Sequence, residues 1–136
     1  MNASIRTSSR PTFVQIAVAI AGAVYLFTGV FLMFAPAWFF DTFGKFPPFN
    51  RHYMGDLGSF LLPLGIGLLV AAGEPRRYRG LIGVAAVGSL IHAGNHLYAD
   101  LTAGQIPPYF LQTTLPLLVL ASLLIVAWIG LRRASA

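Results

Sequence analysis

All three histidines of this 136-residue chain, and one of its four acids, fall in two short segments: Asn50-Arg51-His52-Tyr53-Met54-Gly55-Asp56 and His92-Ala93-Gly94-Asn95-His96. Within each segment the ionisable groups are spaced i, i+4, which sets them on one face of a helix. Ser59 continues the first face, and Ser89 lies about one turn before the second. Neutral imidazole and carboxylate ligate zinc, copper, iron or nickel, and an i, i+4 histidine pair can reach one ion from a single helix. His52, Asp56, His92 and His96 thus compose a three-nitrogen, one-oxygen metal set, with Asn95 beside them as a further cofactor-binding residue. His92 or His96 serves equally as an axial ligand to haem iron, so a transition metal ion or haem is the expected cofactor. The same groups can relay protons or hydrogen-bond a quinone headgroup. The plainest alternative is a self-satisfied clamp, in which Asp56 accepts hydrogen bonds from histidine and Asn95 and locks two helices.

The rest of the sequence adds no second chemistry. There is no phosphate loop, serine nucleophile elbow or HEXXH signature, and without cysteine there is no thiol nucleophile or disulfide framework. No residue is assigned as catalytic.

Apolar residues make up 57% of the chain and charged ones only 10%, with a mean hydropathy of +0.73. A soluble domain carries about a quarter charged residues, so an ordinary aqueous globule is excluded. Thirty residues between Arg10 and Asp41 carry no formal charge, as do seventeen between Asp56 and Glu74, and two more charge-free runs follow at Gly80–Ala99 and Leu101–Leu131. A bilayer core takes about 20 apolar residues per helix. The expected fold is therefore an all-α integral membrane protein, a single four-transmembrane-helix bundle with spans near 12–36, 52–73, 77–98 and 108–131. Pro36 and Ala37-Trp38-Phe39-Phe40 close the first span, Gly73-Glu74-Pro75 turns between the second and third, and Pro63 and Pro116 kink the spans that contain them. The aromatic segment from Trp38 to Phe49 is expected to lie in the outer interface as a short amphipathic stretch.

Arg6, Arg10, Arg76, Arg77, Arg79, Arg132 and Arg133 fall on one side of these spans, and only Lys45 and Arg51 on the other. The positive-inside rule puts both termini and the 73–79 turn in the cytoplasm. The net charge of +5 is then a matter of orientation rather than of nucleic-acid binding. Arg76, Arg77 and Arg79 read first as topological determinants, with contact to anionic lipid as the alternative. The first span is about twice the length of a signal-peptide h-region, so it is expected to be retained.

An antiparallel hairpin centred between Glu74 and Pro75 brings His52 level with His96 and Asp56 level with His92. Ionisable groups facing lipid cost at least about 2.5–3.5 kcal/mol near the bilayer centre, so the four are expected to turn toward one another. Gly55, Gly58, Gly88 and Gly94 would allow close helix approach, and Gln112, Thr113 and Thr114 of the last span lie at a similar depth. The result is an expected polar pocket in the outer half, with Asp56 against His92. Asp100 reads as an outer cap of the third span, with a share in the site as the alternative, and Tyr53, Tyr98 and Tyr109 read as interface aromatics.

The pattern Phe49-Asn50-Arg51-His52-Tyr53-Met54-Gly55-Asp56-Leu57-Gly58, followed by His92-Ala93-Gly94-Asn95-His96, resembles small uncharacterised four-helix bacterial membrane proteins of the DoxX-like type. That resemblance implies a compact four-span bundle associated with membrane redox systems, and it supplies no catalytic set. The expected function is a metal- or haem-binding accessory component of a membrane redox or metal-handling system. It would sit multi-pass in the bacterial inner membrane, as a homo-oligomer or with a membrane-protein partner. The alternatives are a small oligomeric transporter or proton-coupled channel, and a structural subunit.

Overall fold

A computed structural model describes residues 12–44, 47–102 and 110–133. Among them are α1 (Phe13–Phe34), α2 (Pro36–Thr42), α3 (Arg51–Gly73), α4 (Arg79–Thr102) and α5 (Thr114–Arg133), with no strand. All but α2 are long and apolar enough to cross a bilayer, the make-up of a multi-pass membrane protein. Their outward faces are as apolar as the inward ones: Phe13, Ile16, Ile20, Val24 and Phe27 stand exposed along α1, while Ala17, Val18, Ala21 and Tyr25 are buried on its other side. Small residues line the core throughout, including Ala71 on α3, Ala85, Ala86 and Ala93 on α4, and Ala121 and Ala127 on α5. Where lipid solvates the large side chains, backbones gain most by approaching closely over small ones.

The helices pair as α1 with α3 and α4 with α5, and α1 also touches α5. The α1–α3 seam is antiparallel and glycine-lined: Gly29 lies against Leu62, Gly65 against Leu26 and Gly22 against Leu69. A Cβ at Gly29 or Gly65 would collide with the opposing backbone. In the α4–α5 pair, Gly83 receives the Trp128 indole, whose Nε1 would lie 2.6 Å from an added Cβ.

This pairing departs from the expected one. Although α3 and α4 are joined by a short turn, they meet only sparsely, as where Gly67 faces Leu81 near that turn. Gly55, Gly88 and Gly94 border open space, and Gly58, the fourth glycine expected between α3 and α4, packs on Met33, Leu32 and Gly29 of α1.

Helix ends are set locally. Thr12 and Gln15 form a capping box at the start of α1. Pro36 ends the first span as expected but also opens α2 at its first position, where a missing N–H costs nothing. α2 folds back on the C-terminal end of α1 through Phe31 and Trp38, whose rings are 4.7 Å apart. Pro63 lies inside α3 as expected. Pro116 falls in the first turn of α5, because that helix starts at Thr114 rather than near 108, so no intrahelical bond is lost there. The expected roles of Arg6, Arg10, Lys45 and Tyr109 lie outside the described residues.

Candidate functional site

On α3, Asn50 caps the helix by accepting hydrogen bonds from the backbone N–H groups of His52 at 3.0 Å and Tyr53 at 3.2 Å. One turn on, His52 Nε2 lies 3.4 Å from Asp56 Oδ2, with the side chains 81% and 59% exposed. The Ser59 hydroxyl donates to the backbone carbonyl of Asp56 at 2.7 Å rather than to its carboxylate. This pair points away from the core, with the exposed Tyr53 ring 6.2 Å from that of His52.

On α4 the polar groups follow the inward stripe. Ser89 is buried at mid-helix, donating to the Ala85 carbonyl at 2.6 Å, and its oxygen lies 2.5 Å from the Tyr25 hydroxyl of α1. Toward the C-terminal end of α4 come His92 and His96, both half-buried, their rings edge-to-face with centroids 4.9 Å apart. One turn beyond His96 is Asp100, only 7% exposed, whose Oδ2 accepts a hydrogen bond from the buried Thr114 hydroxyl of α5 at 2.6 Å. Asp100 follows His96 at i+4 on the same helix. Asn95 lies on the exposed side of the helix, as does Gln112 at the entrance to α5, and Thr113 is half-buried.

The structure therefore brings His92 and His96 together and adds Asp100 to them, while His52 and Asp56 form a separate exposed pair. Among the described residues no group of three or more histidine, aspartate and glutamate side chains converges as a metal centre would require. The helical rise explains why α4 alone cannot supply one: His92 and Asp100 are about 12 Å apart along the axis, whereas ligands to one ion all lie about 2.0–2.2 Å from it. His92 and His96 remain close enough to share an ion, or for one of them to ligate haem. Asp100 is suited to the outer role, in which a carboxylate orients a ligating imidazole and raises its basicity.

Asp100 and Tyr25 are the residues that sequence reasoning undervalued. Asp100 continues the His92–His96 stripe at i+8, a signal present in the spacing. The Tyr25–Ser89 bond joins α1 to α4, helices far apart in the chain, and no spacing shows it.

Compared with protein-family models, with curated proteins and with solved structures, the chain shows no significant match.

Proposed function

We propose that this is a small multi-pass protein of the bacterial inner membrane, both termini cytoplasmic, that binds haem or a transition metal ion through His92 and His96 as an accessory component of a membrane redox or metal-handling system. The observation that carries the reading is the adjacency of these two half-buried imidazoles, backed by a buried carboxylate that α5 holds in place. Neutral imidazole in a partly apolar setting is the form that ligates iron, copper or zinc. The DoxX-like resemblance of the two segments agrees with a redox association.

Binding is favoured over conduction by where the column stops. Polar groups run from Asp100 inward to the Tyr25–Ser89 contact, and the inner half of α4 then presents Ile82, Gly83, Ala85 and Ala86 to the core. A column closed at mid-span suits a ligand that arrives from the outer surface. Orientation rests on the positive-inside rule, and it is consistent with the start of α1, the α3–α4 turn and the end of α5 sharing one end of the bundle.

The test is metal analysis and absorption spectroscopy of purified protein, reconstituted with candidate ions and haem. His92→Ala with His96→Ala is expected to abolish the cofactor signal, and His52→Ala with Asp56→Asn to leave it intact. Equal occupancy in wild type and the His92/His96 variant would overturn the assignment.

A further inference from the structure

At the inner end of the bundle, the start of α1, the α3–α4 turn and the last turns of α5 border an open cavity of about 520 Å³. It lies at the opposite end from the histidine column, and it is amphipathic: Arg76, Arg77, Gln15 and the carboxylate-bearing Glu74 supply polar lining, Val14 and Leu131 apolar lining. The two arginines are not equivalent. Arg77 is paired with Glu74 at 3.5 Å and stacks over the Tyr78 ring at 5.5 Å. Arg76 is exposed and makes no ion pair, hydrogen bond or ring contact among the described residues. Among the described residues, the cavity thus holds one guanidinium without an ion-pair partner, beside the apolar Val14 and Leu131. The Thr12–Gln15 capping box fixes the opposite rim, where Thr12 N–H donates to Gln15 Oε1 at 2.8 Å.

A guanidinium offers a planar fork of donors that fits phosphate oxygens, and it gives up hydration more readily than an ammonium. An arginine that served only to set topology would need no cavity. We propose that this cavity binds the phosphate group of an anionic phospholipid: Arg76 ligates the phosphate, the paired Arg77 supports it, and Val14 and Leu131 take the start of the apolar chains. A free phosphate monoester shares the headgroup chemistry, and the apolar wall favours the lipid.

The experiment compares retention of phosphatidylglycerol and phosphatidylcholine by the detergent-purified full chain, using native mass spectrometry. Glycerol phosphate serves as a headgroup without chains. Wild type is expected to prefer phosphatidylglycerol by about fivefold or more, the scale of one well-placed cationic side chain near an anionic surface. Arg76→Ala is expected to lose that preference. Arg79→Ala removes the same charge from a residue outside the cavity and is expected to keep it. Gly130→Leu changes no charge and fills the cavity beside Val14, and it should lose the preference as well. If glycerol phosphate competes as well as the lipid, the same site recognises soluble phosphate; if it does not, the lipid is the ligand. Equal losses from Arg76→Ala and Arg79→Ala, no preference in wild type, or an unaffected Gly130→Leu would each overturn the proposal.

Discussion

The motif His-x-x-x-Asp occurs twice in this chain, as His52…Asp56 in the first turns of α3 and as His96…Asp100 in the last turns of α4. Within each helix the spacing is identical, yet the environments are opposite. Asp56 stands exposed and, among the described residues, pairs with its own helix's histidine. Asp100 is buried and accepts a hydrogen bond from Thr114 of a neighbouring helix. Spacing fixes what a helix face carries, and the partner helix decides what that face can do. α4 gains a polar partner from α5 and another from α1, whereas α3 spends its packing face on a glycine seam with α1 and leaves its ionisable pair outside.

The largest effect is expected from breaking that seam. Gly65→Leu drives a side chain into the Leu26 backbone. Overpacking costs about 1–3 kcal/mol where side chains can yield, and more is expected here because main-chain atoms cannot. Gly55→Leu meets open space on the same helix and should be tolerated. Thermal unfolding in detergent, followed by circular dichroism, should show a large loss for the first and little change for the second. Equal losses would mean that α3 does not dock on α1 as described.

This contrast also marks what the sequence made legible. Charge-free runs locate the four long helices to within a few residues, save the start of α5, where Pro108 looks like a helix opening and the helix begins at Thr114. Hairpin arithmetic across Glu74–Pro75 yields depth, but depth does not select a neighbour, and a short turn does not oblige two membrane helices to pack along their length. The seam itself was written in the chain, since Gly22 and Gly29 on α1, and Gly58 and Gly65 on α3, are each two turns apart and so share a face. The histidine pair of α4 was legible from spacing alone. Its carboxylate was harder to see, because Asp56 and Asp100 are indistinguishable until Thr114 is known to lie beside one of them.

A middle-sized effect separates the two acids. Asp100→Ala leaves the buried Thr114 hydroxyl without its acceptor, at a cost of about 1–3 kcal/mol, while Asp56→Ala removes an exposed partner and should shift stability by no more than about 0.5 kcal/mol. The expected signature is a lower melting temperature for Asp100→Ala, partly restored when Thr114→Val removes the orphaned hydroxyl. A melting temperature lowered as much by Asp56→Ala would place that carboxylate in an interface between copies of the chain.

The smallest expected effect is the direct coupling between His52 and Asp56. Exposed ion pairs contribute about 0.2–1 kcal/mol in double-mutant cycles and weaken with salt. At 3.4 Å and with both side chains exposed, this pair belongs at the low end of that range. A cycle built from His52→Ala, Asp56→Ala and the double variant should therefore give near-additive changes that become fully additive in high salt. The same cycle at His96 and Asp100 should be non-additive and largely insensitive to salt, because the carboxylate is shielded by α5 and accepts a hydrogen bond from Thr114. If the α3 cycle proved the more strongly coupled, the exposed pair would have to be buried in the assembled membrane protein, against a second copy or another subunit, and the division of labour between the two motifs would be reversed.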